Sequence, residues 1–206
     1  MSSSASIQGI DVSHYQGSVN WADVESSGIV FAFAKATEGI TVVDAEFDTN
    51  WAGINAAGII RGAYHFYIST DDPEAQAENF LKAVGSLAPG DLPPVLDIEN
   101  YAGACGTASL AENVQTWLDA VQEGLQRRPM IYTGPSFWDK YMTSQFGTYP
   151  LWVAEYGVSQ PRLPIGWTAW TIWQSTPSGV AQGVAGNVDL NTFAGSYAEL
   201  QALLQT

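Results

Sequence analysis

Short apolar runs recur along the chain, each closing on a polar residue and followed, over the first two thirds, by a stretch with helical spacing. Gln8-Gly9-Ile10-Asp11-Val12-Ser13 reads as a first strand, with Asp11 on the face opposite Ile10 and Val12. A turn at Gly17 and a brief helix from Trp21 to Ser26 lead to a second strand, Ile29 to Lys35, which ends in Ala36-Thr37-Glu38-Gly39. Phe47, Trp51 and Ile54 predict a helix from about Asp44 to Ala57, with Gly58 as its C-cap. The third strand, Ile59 to Tyr67, carries Gly62-Ala63-Tyr64-His65-Phe66. Thr70-Asp71-Asp72-Pro73-Glu74 then opens a helix that continues to about Val84, with proline in the first turn and acids at the positive end of the dipole.

The fourth strand, within Leu92 to Asn100, is the one around which the rest is arranged. Alternation places Val95, Asp97 and Glu99 on one face, and Leu96 and Ile98 on the other. After it, Thr107 or Ser109 opens a helix with the stripe Val114, Trp117, Leu118, Val121 and Leu125. Further strands are predicted over Met130–Thr133, Leu151–Glu155, Ala169–Gln174 and Asn187–Asn191, with a helical patch from Pro135 to Gln145 and a closing helix from Ser196 to Gln205. Eight strands with alternating helices imply a parallel sheet closed into a (β/α) barrel that lacks helices in its last third. Residues 7–206 are expected to form this one barrel domain, and residues 1–6 a disordered tail.

Composition narrows the chemistry. With Lys+Arg 7 against Asp+Glu 21, the net charge is -14, which disfavours nucleic acid. Trp 8, Tyr 9 and Phe 8 in a weakly charged chain suit a carbohydrate partner, although many of these rings belong to the core. Cys105 is the sole cysteine, so no internal disulfide forms, and it is read as incidental. No apolar run approaches a membrane span, and Met1 to Ser6 has neither a basic n-region nor an apolar h-region.

The candidate residues share a position, at or just past strand C-termini: Asp11, Lys35, Tyr64, Asp97 with Glu99, Tyr132, Trp152, Gln174 and Asp189. In a (β/α) barrel those ends form the face on which active sites are built. Four acids, Asp11, Asp97, Glu99 and Asp189, among aromatics describe a sugar-cleaving cleft, because glycoside hydrolysis needs one protonated acid and a second group to stabilise the oxocarbenium-like state. Asp11 could instead cap a turn, Asp189 make a strand-end hydrogen bond, and Lys35 serve as a counter-ion. Tyr64, Tyr132 and Trp152 fit either a sugar platform or barrel packing. A carboxyl on the inner face of a buried strand is costly without a purpose, so Asp97 and Glu99 lead. His14 and His65 are not at metal-ligand spacing, and no HExxH, Cys pair or G-x-S-x-G elbow occurs. No metal and no cofactor are expected.

Gly9-Ile10-Asp11-Val12-Ser13-His14-Tyr15-Gln16-Gly17, Lys35-Ala36-Thr37-Glu38-Gly39, Gly62-Ala63-Tyr64-His65-Phe66, Leu96-Asp97-Ile98-Glu99, Leu151-Trp152-Val153-Ala154-Glu155-Tyr156, Trp173-Gln174 and Val188-Asp189-Leu190-Asn191 together resemble glycoside hydrolase family 25, the Chalaropsis-type lysozymes or N-acetylmuramidases. The resemblance runs in order from about residue 7 to 194. It implies an irregular TIM-like barrel of about five β/α units followed by three strands with little helix. It also implies hydrolysis, with retention, of the β-1,4 bond between N-acetylmuramic acid and N-acetylglucosamine in bacterial peptidoglycan.

Carried over by motif, Glu99 is the catalytic acid/base and Asp97 orients the reacting centre, with Asp11 and Asp189 as further acids of the site. Asp97 is either itself the nucleophile or positions the substrate's own 2-acetamido group as nucleophile; the D-x-E arrangement resembles that of substrate-assisted glycosidases and favours the second. Lys35, Tyr64, Phe66, Tyr132, Trp152, Trp173 and Gln174 are the expected substrate-binding residues. Ser175 stands where the family commonly has an aromatic, and the loop from Tyr101 to Ala108 is rich in glycine and alanine. The protein is expected to be a monomer that binds no membrane and works outside the cell or is delivered to the bacterial wall, with no export signal read in this chain. The alternatives are a silent glycan-binding barrel or an N-acetylglucosaminidase resembling chitinases. The longer D-x-x-D-x-D-x-E signature of chitinases is absent before Glu99.

Overall fold

The structure, a computed structural model, describes residues 6–106 and 108–205. Residues 1–5 of the expected tail, and Thr107 as a helix opener, lie outside the described residues. Eight strands close on themselves: β1 (Ile7–Val12), β2 (Ile29–Glu38), β4 (Ile60–Phe66), β5 (Val95–Asp97), β6 (Met130–Thr133), β7 (Leu151–Ala154), β8 (Ile172–Gly179) and β9 (Val188–Phe193), which returns to β1. A two-residue strand not read from the sequence, β3 (Val42–Val43), folds back on the end of β2 outside the ring. Pairing is parallel from β1 through β8, whereas β9 is antiparallel to both of its neighbours. The irregular α/β barrel is therefore present, with one reversed strand.

Crossover helices α1 (Trp21–Ser26), α2 (Phe47–Ala56), α3 (Pro73–Val84), α4 (Leu110–Leu125) and α5 (Pro135–Tyr141) follow β1, β3, β4, β5 and β6. No helix of regular length follows β7 or β8, and α6 (Tyr197–Leu203) closes the described chain. Asp72 caps α3, accepting from Ala75 N, with Pro73 at the first helical position. Ser109 and Glu112 form a capping box at α4. The helix expected from Asp44 begins only at Phe47, because the Asp44 carboxylate is engaged elsewhere, by His14 and by Glu46 N. Among the described residues, no helix is long and apolar enough to cross a membrane.

Alternation divides the strand residues between two cores. Ile10, Ala32, Leu96, Ile131 and Val153 point outward and pack under the helices. Phe31, Phe33, Val95, Met130, Trp152 and Ile172 fill the barrel interior. Room for the two inner phenylalanines is made by glycines directly across from them: Gly9 pairs with Phe31 and Gly62 with Phe33. A Cβ on Gly62 would stand 2.3 Å from the Phe33 ring and 3.1 Å from Leu92 Cβ. Gly62→Ala is therefore expected to cost about 1–3 kcal/mol through overpacking. Urea unfolding should show it as a lower midpoint with an unchanged slope, and an unchanged midpoint would mean the ring can move aside.

His65 braces the outer side. Thr37 Oγ1 lies 2.7 Å from its Nδ1 and Gln76 Oε1 lies 3.2 Å from its Nε2, while its ring stacks on Trp117 at 5.5 Å. Burial takes its pKa down to about 3, so the imidazole is neutral, donating from Nε2 and accepting at Nδ1. The histidine ties β2 and β4 to α3 and stands apart from the acids.

Candidate active site

The strand ends open into a cleft of about 270 Å³. Of the eleven residues expected there, ten line it: Asp11, Lys35, Tyr64, Phe66, Asp97, Glu99, Tyr132, Trp152, Gln174 and Asp189. Trp173 does not. It points to the outer face, packs against Trp170 and the outer core, and donates its indole N–H to Glu155 O. Neighbouring strand residues face opposite ways, so Gln174 and Trp173 cannot both reach the interior. The position assigned to Asp189 also needs correction. It lies at the start of β9, and it reaches the same rim because that strand runs backwards.

Asp11 is the most closely held of the acids. Its Oδ2 accepts from Gln174 Nε2 at 2.9 Å and from Asn191 Nδ2 at 2.7 Å. Both amides are themselves oriented. Tyr132 Oη donates to Gln174 Oε1 at 2.8 Å, and Tyr156 Oη donates to the same oxygen. Trp152 Nε1, which can only donate, gives its proton to Asn191 Oδ1 at 2.8 Å. Asp189 stands opposite Asp11 in the strand register. Burial, and next the Asp189 charge, push the Asp11 carboxyl well up, and Asp189 is raised as well, mainly by burial. The two carboxyls therefore resist ionising together, Asp11 the more strongly.

Asp97 ends β5, is 7% exposed, and its Oδ1 is buried with no hydrogen-bond partner. Burial, then Glu99 and Asp11, raise its pKa well above the ordinary carboxylate range, against an opposing effect of Lys35. Glu99 lies just past the strand, and its side chain is open to solvent at the mouth. Its pKa is raised by desolvation and by the Asp189 charge, and lowered by Lys35. Lys35 is itself fixed, with Nζ 2.6 Å from Glu38 Oε2 and 4.9 Å from the centre of the Phe66 ring.

Trp152 forms the floor: it stacks on Phe33 at 4.5 Å, meets Tyr132 edge-on at 4.8 Å, and is 2% exposed. Tyr15, Gln16 and Tyr156 also line the cleft and were not foreseen as site residues, nor was Asn191 in its hold on Asp11. The available signal was adjacency. Tyr156 closes the run that contains Trp152, and Asn191 shares the face of Asp189 two residues on.

The arrangement combines an exposed acid of raised pKa, a buried acid with a free oxygen, and a pair of acids facing each other across two strands. Comparison with known proteins identifies a family. The profile of the family described as "Glycosyl hydrolases family 25" matches residues 10–184. The chain is 41% identical over 208 residues to "Lysozyme M1" of Streptomyces globisporus, covering 96% of this chain and 71% of that protein. It is 33% identical over 186 residues to the "N,O-diacetylmuramidase" of Chalaropsis sp, covering 82% of this chain and 88% of that one. A crystal structure of the bacterial lysozyme from Streptomyces coelicolor superposes with a TM-score of 0.91 at 40% identity, covering 98% of both chains.

Proposed function

Because the chain belongs to glycosyl hydrolases family 25, we propose that its cleft is that of a lysozyme, an N-acetylmuramidase that hydrolyses the β-1,4 bond between N-acetylmuramic acid and N-acetylglucosamine in bacterial peptidoglycan. The observation that carries the assignment of roles is the pairing of solvent-open Glu99 with buried Asp97, whose Oδ1 has no partner within the protein.

Glu99, protonated, gives its proton to the glycosidic oxygen as the C1–O bond breaks. The carbonyl oxygen of the 2-acetamido group on the same sugar bonds to C1, and Asp97 Oδ1 accepts the amide N–H of the oxazolinium so formed. Water then attacks C1, its proton passes to the Glu99 carboxylate, and the ring reopens. Two inversions at C1 amount to retention. Asp11, held by the two oriented amides, and Asp189 opposite it supply the acidic wall facing the reacting centre.

All of these groups come from one chain, so this chemistry needs no second copy, and the reading is of a monomer acting through one catalytic domain over residues 7–206 without a cofactor. The net charge of -14 sets nucleic acid aside as a partner, and the polymer cut lies outside the cell or at a wall to which the protein is delivered.

The test is digestion of purified peptidoglycan followed by reduction and mass analysis of the fragments. Reduced muramic acid at the new ends is expected. Reduced glucosamine ends would mean an N-acetylglucosaminidase, and binding without release a silent glycan-binding barrel.

Activity should fall as pH rises past the ionisation of Glu99, because only the protonated form donates. The two charges that move this group act in opposite directions. Asp189→Asn, which removes a neighbouring negative charge, should shift the basic limb of the kcat/KM profile to lower pH. Lys35→Met, which removes a positive one, should shift it to higher pH. Limbs that stay in place in both variants would remove Glu99 as the titrating acid.

A further inference from the structure

The chain between β1 and α1 leaves one ring in solvent beside the cleft: Tyr15 is 81% exposed and lines the cavity. An exposed aromatic is ordinary by itself. This one is held in position. Its ring lies on the imidazole of His14, with centres 4.1 Å apart. His14 is fixed in turn, because its Nδ1 lies 2.6 Å from Asp44 Oδ2 and its backbone N–H donates to the same oxygen at 3.1 Å. The Asp44 side chain is 1% exposed, so the anchor is buried while the ring it supports is not.

The backbone beneath the ring is equally constrained. Tyr15 N donates to Ser13 Oγ, Ser13 N donates to Gln16 Oε1 at 2.9 Å, and Gln16 Nε2 reaches Asn187 O on the far side. A buried carboxylate and a capping box spent on orienting a solvent-exposed ring suggest a surface prepared for a ligand, since ordering it beforehand lowers the cost of binding.

The closed strand order fixes where that surface lies. Going round the ring from β1 through β2 and β4, the acid-bearing β5 is the third neighbour. Tyr15 therefore stands on the rim away from Glu99, with Asp11 and Asp97 between them at the mouth. A polymer crossing the cleft over the acids passes Tyr15 on one side. A pyranose ring presents a face of C–H groups, which packs on a phenol ring, and the deep rings Trp152 and Tyr132, 2% and 7% exposed, offer little face for this.

We propose that Tyr15, buttressed by the His14–Asp44 pair, is a sugar-stacking platform that binds a hexosamine unit of the glycan strand one or more residues from the bond being cut. This rests on the muramidase reading for the identity of the glycan, and the platform itself can be tested apart from it. Tyr15→Ala should raise KM for glycan strands purified from peptidoglycan by roughly 2- to 10-fold, the range for one aromatic contact, with kcat unchanged. Tyr15→Trp should restore KM, and His14→Ala should give an intermediate increase because the ring loses its support. The ring is exposed, so an unchanged Tm will show that the fold is intact.

An unaltered KM in Tyr15→Ala, or a loss confined to kcat, overturns the proposal. Binding of the same strands to Glu99→Gln, measured by calorimetry with and without Tyr15→Ala, separates the two readings. A wild type that releases nothing while this binding depends on Tyr15 leaves the platform standing and removes the muramidase. Binding indifferent to Tyr15 in an active enzyme does the reverse.

Discussion

Replacing Asp97 with Asn is expected to make the protein more stable and almost inactive in one step. The carboxyl is buried at the end of β5 with one oxygen unpartnered, and burial with two nearby acids raises its pKa. A carboxyl whose folded pKa is raised stabilises the fold relative to the ionised state only while it stays protonated. That contribution is complete below the unfolded value of about 4 and is lost as pH rises through the folded one. At pH 7 the native state therefore bears a cost that an amide of the same shape does not. Asn should gain on the order of 1–2 kcal/mol there, the usual return from relieving a strained functional site. The gain should vanish at about pH 2.5, where the acid is protonated in both states. Calorimetric melting at the two pH values measures it. Loss of the acceptor for the acetamido N–H should lower kcat by about 10²–10³-fold. An Asn variant as active as wild type would remove Asp97 from the chemistry, and one less stable at pH 7 would show that the buried carboxyl is no cost to the fold.

The second large effect is on Glu99. Glu99→Gln should lower kcat/KM on peptidoglycan by about 10²–10⁴-fold, the range for losing a general acid. The side chain is open to solvent, so the melting temperature should stay near that of the wild type. A glycoside with an activated aryl leaving group needs little protonation when its bond breaks. The variant should therefore lose much less on the first, bond-breaking step with that substrate. Equal losses on both substrates would assign Glu99 a role in binding or shape, not proton donation.

Much of this was legible in the chain because alternation is a local rule. The pattern around Asp97 sent Leu96 and Ile98 outward and Val95 inward, and the two cores contain them accordingly. The same rule, applied to Trp173-Gln174, excludes one of the two from the cleft. Gln174 is expected there from its place at a strand end, Trp173 only from the motif the two share. Strand direction is not local. Nothing within Val188 to Phe193 states that the segment runs antiparallel to its neighbours, so Asp189 was given the correct rim from the wrong end of its strand. Asp44 was read as a helix start for the same kind of reason, since its partner His14 lies thirty residues back. Asn191 and Tyr156 act through other side chains, and such relays become visible only when the strands are side by side.

The reversed strand has a consequence for the order of events as the protein is made. β9 is the last strand among the described residues, and the barrel has no closed rim until it enters between β8 and β1. That insertion joins segments at opposite ends of the chain, and such long-range pairings are slow to form. It also sets Asp189 opposite Asp11 and brings Asn191 onto the Asp11 carboxylate. Closing the barrel and assembling the four acids of the proposed site therefore both depend on β9. A chain in which β9 has not yet paired has the other strand ends of the cleft but neither Asp189 nor Asn191 beside Asp11.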